Sequence, residues 1–193
     1  MRTITKRFFR LLSAPDLDTK KNYKVERQIQ NFLHQHILRP TERIFDEVLV
    51  APGRNIPLRV FFPEKNRQAF PVVLFFHGGG WVTGSLDSYD KMCTQLAEKT
   101  DHVVVSVDYR LAPEYKFPAA LEDCYFATQH FLKNAAQYGV DPGRISLAGD
   151  SAGGNIAAAV CLMARDRGAP MPRKQALLYP ATDSLKPGVE SPY

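Results

Sequence analysis

From residue 44 onward the chain repeats one unit: a short, nearly continuous apolar run followed by a stretch of helical periodicity. Runs at 72–76, 103–107, 145–149 and 174–179 read as strands. Between them, 88–99, 118–138 and 152–165 read as helices. The helix over 88–99 turns Tyr89, Met92, Cys93 and Leu96 inward. The helix over 118–138 turns Leu121, Cys124, Tyr125, Thr128 and Phe131 inward, with Pro118 suited to its first turn. Strands apolar on both faces need cover on both faces, so the alternation dictates parallel strands inside an α/β sandwich. Ahead of it, 44–50 and 58–62 flank the turn-forming Pro52-Gly53-Arg54-Asn55 and predict an antiparallel hairpin. The expected core is a three-layer, mostly parallel sheet of about six strands. Ligands in such sheets bind at the carboxyl ends of the strands. Those ends fall at residues 77–80, 108–110, 150–151 and 180–183.

The charge belongs to one end of the chain. Of the 25 Lys/Arg and 20 Asp/Glu, residues 1–43 hold ten basic against four acidic, and the rest is close to balanced. A nucleic-acid partner is not expected, because the basic excess does not lie on the repeating core. No run of 18 apolar residues is present, so no membrane span is expected. Cys93, Cys124 and Cys161 are odd in number and form no C-x-x-C pair, which predicts reduced thiols and no zinc site. The expected location is cytoplasmic. Residues 1–14 set Ile4, Phe8, Leu11 and Leu12 on one helical face, and their Arg-rich, acid-free composition also fits a mitochondrial presequence. A second helix is expected over 23–38, with Val25, Ile29, Phe32, Leu33, His36 and Ile37 on its apolar face and Pro40 closing it. The domain reading is a helical segment over 1–42 and an α/β core over 43–193.

Two glycine-rich segments sit at the carboxyl edge. Gly149-Asp150-Ser151-Ala152-Gly153 follows a strand and opens a helix. That context suits a nucleophile elbow: the serine stands on a sharp turn, and small neighbours let the chain pass closely. His77-Gly78-Gly79-Gly80-Trp81 follows the strand over 72–76. Its glycines leave backbone N–H groups unshielded, as an oxyanion hole requires. The expected donors are Gly78, Gly79 and Ala152, with Ser151 as nucleophile. His77, Gly80, Gly149, Asp150 and Gly153 are expected to support the two motifs.

With DYRLAPEYKFPAALED over 108–123 added to these, the chain resembles the hormone-sensitive-lipase family of α/β-hydrolases over about residues 20–183. The resemblance implies a carboxylic ester hydrolase acting on small acyl esters without a cofactor or metal. It implies that residues 1–40 cap the acyl pocket. It leaves Asp108, Arg110, Glu114 and Asp123 as structural groups.

The family's triad runs Ser, then Asp or Glu, then His, with the last two on loops far beyond the serine. Here no histidine follows Ser151, and the downstream acids are Asp166, Asp183 and Glu190. His102 precedes its strand and belongs at the far end of the sheet. His130 lies inside a helix, and His77 belongs to the glycine loop. His36 on the cap is the one geometric alternative. The expectation is a C-terminally truncated esterase, inactive or crippled alone. Its exposed last strand invites self-association or a complementing C-terminal segment. The alternative is a non-catalytic small-ligand module of the same fold, gibberellin-receptor-like. A nucleotide site is disfavoured, because Ser85 follows Gly84 where a P-loop needs Lys.

Overall fold

The computed structural model describes residues 19–34, 43–65 and 67–183. The expected first helix over 1–14, His36 and Glu190 lie outside the described residues. The elements run α1 (Thr19–His34), β1 (Ile44–Ala51), β2 (Arg54–Phe61), β3 (Phe70–Phe76), α2 (Leu86–Thr100), β4 (Val103–Val107), α3 (Ala119–Asn134), a 3-10 turn (Ala135–Tyr138), β5 (Val140–Asp150), α4 (Ala152–Asp166) and β6 (Lys174–Leu178). β1 and β2 form the expected hairpin, with Ala51 facing Arg54 across a two-residue turn. Pro52 presets φ for the first turn position, and Gly53 takes φ 74° at the second, which a side chain would resist. The turn is therefore shorter than the four residues expected, and Arg54 and Asn55 already belong to β2.

The six strands lie in the order β1-β2-β4-β3-β5-β6. β2 meets β4 antiparallel, and β3, β4, β5 and β6 are mutually parallel. From β3 the chain steps to one side to lay down β4, then crosses back to lay β5 on the other side. The carboxyl ends of β3 and β5 therefore flank the point where the winding reverses. A crevice opens there, because the connections leave in opposite directions.

Side-chain alternation sorts the core into two layers. Val72, Leu74 and Phe76 of β3 and Val103, Val105 and Val107 of β4 face Cys124, Ala127 and Phe131 of α3 and Ile156, Ala157 and Val160 of α4. The opposite face, through Phe61, Phe75, Val104 and Ala148, packs on Cys93 and Ala97 of α2. This is the expected three-layer α/β-hydrolase architecture. The inward residues of α2 and α3 are those the periodicity selects, Tyr89, Met92, Leu96, Leu121 and Tyr125 being half-buried against the two cores. Ser85 caps α2: its hydroxyl accepts from Ser88 N, and Ser88 Oγ accepts from Ser85 N.

Three expectations shift. α1 begins at Thr19, four residues before the expected start. The helix expected over 118–138 ends at Asn134 and tightens into the 3-10 turn, which Gly139 closes at φ 63°. β5 begins five residues early at Val140, because the register slips between Phe70 and Val72 and residues 141–144 bulge from the ladder. β6 is exposed along its whole length as the sheet edge. All three cysteines are free thiols. No described helix is long and apolar enough to cross a membrane.

Candidate active site

The strand-to-helix turn is as tight as the motif demands. Ser151 stands between β5 and α4 with φ 51° and ψ −115°, a conformation unfavourable for any residue with a Cβ. Several bonds hold it there. Its N–H donates to Leu178 O at 2.9 Å, and its carbonyl accepts from Asn155 N at 3.0 Å and Ala181 N at 3.1 Å. Asn155 Nδ2 donates to Ala181 O at 2.7 Å, which ties the following loop to the same turn. Gly149 and Gly153 are required by space. A Cβ on Gly149 would strike the Gly153 carbonyl, and one on Gly153 would strike the Phe76 carbonyl at the end of β3. The elbow is thus pressed directly against the strand that launches the glycine loop.

That loop is wired differently from the expectation in one respect. Gly78 N–H donates to Asp150 Oδ1 at 2.9 Å and to Tyr89 Oη at 3.0 Å, while Tyr89 O–H donates to Asp150 Oδ2 at 2.9 Å. Gly78 is therefore not an available oxyanion donor. Its N–H is consumed by the carboxylate beside the serine, and Asp150 and Tyr89 brace the loop to the elbow. Among the described residues, the N–H groups of Gly79, Gly80 and Ala152 make no backbone hydrogen bond. Gly80, expected only as motif support, thus has an unengaged N–H where Gly78 does not. Gly79, Gly80 and Trp81 have φ of 119°, 61° and 61°. Gly79 O accepts from Val82 N at 3.0 Å and Thr83 N at 2.9 Å, closing the turn. No sequence signal singles out Tyr89 for the brace beyond its place in the first turns of α2.

His77 is a fully buried anchor. Its Nδ1 lies 2.8 Å from Gly78 O, an acceptor, so Nδ1 carries the proton. The ring stacks on Tyr109 at 4.3 Å, and Tyr109 O–H donates to His77 O at 2.6 Å. Burial pushes the imidazole pKa down to about 4, so the ring is neutral. His102 precedes β4 at the opposite sheet end, with Nδ1 2.6 Å from Thr100 O. His130 sits in α3, 2.8 Å from Tyr138 Oη. His77, His102 and His130 make no hydrogen bond to Ser151.

Beside the elbow lies a mostly apolar cavity of about 400 Å³. Gly80 and Asn155 border it on the elbow side, and Trp81, Tyr115, Phe117, Leu121 and Ile156 form its walls. Arg110, also on the wall, is held by Asp123, which is 1% exposed and also takes Arg54. Glu114 pairs with Arg27 of α1. These charges brace the loop that carries them. Asp108 is different: burial and the neighbouring Asp87 push its pKa up to about 6 against the pull of Arg59. Among the described residues no three or more His, Cys, Asp or Glu are grouped to hold a metal.

Comparisons with known proteins bear on the family and the fold. A family model described as alpha/beta hydrolase fold matches residues 73–192. Esterase LipI of Mycobacterium tuberculosis is 46% identical over 158 residues, covering 81% of this chain and 49% of that protein. Arylacetamide deacetylase of Bos taurus is 48% identical over 138 residues, covering 68% and 35%. Among solved structures, a Pyrobaculum calidifontis esterase superposes with TM-score 0.76 at 44% identity, covering 86% of this chain and 54% of that one. An alpha/beta hydrolase enzyme from the metagenome of Lake Arreo, Spain, superposes with TM-score 0.82 at 33% identity, covering 96% and 60%. The chain spans about half the length, or less, of these curated relatives. By the family match, its relatives and the order of its strands, the chain belongs to the α/β-hydrolase fold, in the hormone-sensitive-lipase family of esterases.

Proposed function

We propose that this chain carries the nucleophile and the oxyanion hole of a carboxylic ester hydrolase. Ser151 Oγ attacks the ester carbonyl, and its proton passes to a general base. The N–H groups of Gly79, Gly80 and Ala152 take the charge that develops on the carbonyl oxygen. Collapse of the tetrahedral intermediate expels the alcohol and leaves Ser151 acylated. The cavity beside Gly80 and Asn155 receives a small apolar acyl or alcohol group. The single observation that carries this reading is Ser151 at φ 51° at the head of α4, against a glycine turn whose Gly79 and Gly80 N–H groups make no backbone hydrogen bond among the described residues.

The base and its acid partner are proposed to come from polypeptide corresponding to the part of the relatives that this chain does not cover. His77, His102 and His130 do not meet Ser151. Loss of a triad histidine costs on the order of 10⁶ in turnover, with 10³–10⁴ over water left to the oxyanion hole and binding. The exposed β6 edge, with Leu177, Leu178 and Tyr179 open to solvent, is the proposed seat of that complementing segment or of a second copy.

The test is labelling with a fluorophosphonate, and p-nitrophenyl acetate hydrolysis, by the chain and its Ser151→Ala variant. Ser151-dependent labelling, with turnover that rises when a separate C-terminal segment is added, is expected. Absence of Ser151-dependent labelling and hydrolysis, with and without that segment, would reject the reading.

A further inference from the structure

Arg27 of α1 reaches across to two loops far from it in sequence. Its Nε donates to Val82 O at 2.7 Å, and its Nη2 donates to Ala112 O at 2.8 Å. Nη1 and Nη2 also grip Glu114 at 3.0 and 3.1 Å. The guanidinium lies over the Tyr23 ring, 4.8 Å from its centre, which fixes the plane of the fork.

Both carbonyls belong to residues whose own N–H groups, one peptide bond earlier in the chain, donate to the glycine turn. Val82 N–H donates to Gly79 O at 3.0 Å, and Ala112 N–H donates to Trp81 O at 2.8 Å. One guanidinium therefore heads two relays, each a bond to a carbonyl and then a bond from the neighbouring N–H, that end at either side of Gly80. The turn needs such support. Gly79, Gly80 and Trp81 occupy the positive-φ region in succession, and Trp81 does so with a Cβ. Backbone of this kind persists only where its surroundings over-determine it. Thr83 secures the Gly79 side through its N–H and its hydroxyl. The Trp81 side rests on Ala112, and Ala112 rests on Arg27.

We propose that Arg27 is a positioning residue for the oxyanion turn. By clamping the Val82 and Ala112 carbonyls it holds Gly79, Gly80 and Trp81 in the conformation that leaves the Gly79 and Gly80 N–H groups without a backbone partner among the described residues. The clamp makes α1 part of the scaffold of this turn. What the turn is for rests on the ester-hydrolase reading; the clamp itself is a statement about residues 79–81.

Trp81 is the chain's sole tryptophan and lines the cavity, so its fluorescence reports the turn directly. In the full chain, Arg27→Gln is expected to raise acrylamide quenching of Trp81 about twofold as the turn loosens. Fluorophosphonate labelling of Ser151 should slow on the order of tenfold, while the far-ultraviolet dichroism stays unchanged. Arg27→Lys keeps the charge opposite Glu114 but lacks the planar fork, so it should resemble Arg27→Gln. Glu114→Gln keeps both carbonyl clamps and should stay near the unmodified chain in both readouts. Wild-type quenching in Arg27→Gln overturns the proposal. So does a Glu114→Gln variant that loses as much as Arg27→Gln, since the ion pair would then be the cause. If the unmodified chain shows neither Ser151-dependent labelling nor hydrolysis, with and without the separate C-terminal segment, the ester reading fails, while Trp81 quenching still decides the clamp.

Discussion

Replacing Asp123 by Asn probes the charge arrangement that holds the cavity wall. Asp123, in the first turns of α3, has a side chain 1% exposed. It accepts from Arg54 Nε at 2.5 Å and from Arg110 N, Nε and Nη2 at 3.1, 2.8 and 2.9 Å. Asn fills the same space but presents an NH₂ group where a guanidinium already donates, and it removes the counter-charge for two arginines. Removing one partner of a buried pair costs about 3–5 kcal/mol. The two arginine side chains remain 23% and 25% exposed and can turn toward water, so the lower end, about 3 kcal/mol, applies. For a chain of this size each kcal/mol moves the melting midpoint by roughly 2–4 °C, which gives a fall of roughly 6–12 °C. Thermal unfolding followed by circular dichroism measures it, with urea unfolding to check that the slope is unchanged. The physical contrast is the double variant Arg54→Met with Arg110→Met. It strands Asp123 as a lone buried carboxylate and must cost more than Asp123→Asn. A midpoint within about 2 °C of the unmodified chain for Asp123→Asn, or a double variant less damaging than the single, refutes the account.

Two pH predictions follow from the buried titrating groups. Burial first, opposed by the Gly78 carbonyl and the Asp150 charge, sets the His77 pKa to about 4. The unfolded chain then binds a proton below pH ~6.5 that the folded chain refuses. His77's contribution to stability is thus fully present above that value and falls by about 3 kcal/mol as pH drops from 6.5 to 4. A ring signal from His77 that titrates near pH 6.5 in an NMR series contradicts this. Asp108 has the opposite sign: its pKa is pushed up to about 6, so the stability it allows is complete at acid pH and lost as pH rises through 6. Asp108→Asn should therefore stabilise by about 1–2 kcal/mol at pH 7.5, after allowing for partial solvent screening. It should change nothing at pH 4. Equal effects at both pH values refute it.

Much of the fold is legible in the sequence because its causes are local. A run such as 103–107 is apolar at all positions but Ser106 and is buried at every position, because helices cover both sheet faces. The alternation along β3 and β4 assigns each residue to one of the two cores with no knowledge of the rest. The elbow is legible for the same reason. A serine between a strand and a helix, flanked by glycines, states a backbone requirement, and Ser151 meets it at φ 51°. The carboxyl-edge rule then brings residues 77–80 and 150–151 together.

Hydrogen-bond direction is not local, and there the tertiary structure decided. HGGG marks a loop with available N–H groups, but which glycine keeps its N–H free depends on Asp150, 72 residues away from Gly78, and on Tyr89 of α2. The same holds for residues 141–144, which bulge because β5 pairs with β3 at both ends in different registers. Arg27 carries no signal at all in its own segment. It sits on an amphipathic helix among other basic residues, and only the packing of α1 puts its guanidinium on two carbonyls 55 and 85 residues further along. The sequence by itself determined the layers, the opening hairpin and the sharp turn at Ser151, since period and backbone sterics act within a few residues. The proposed oxyanion donors and the Arg27 contacts behind them were decided only by the fold, since an unpaired N–H is defined by what the rest of the chain does not offer it.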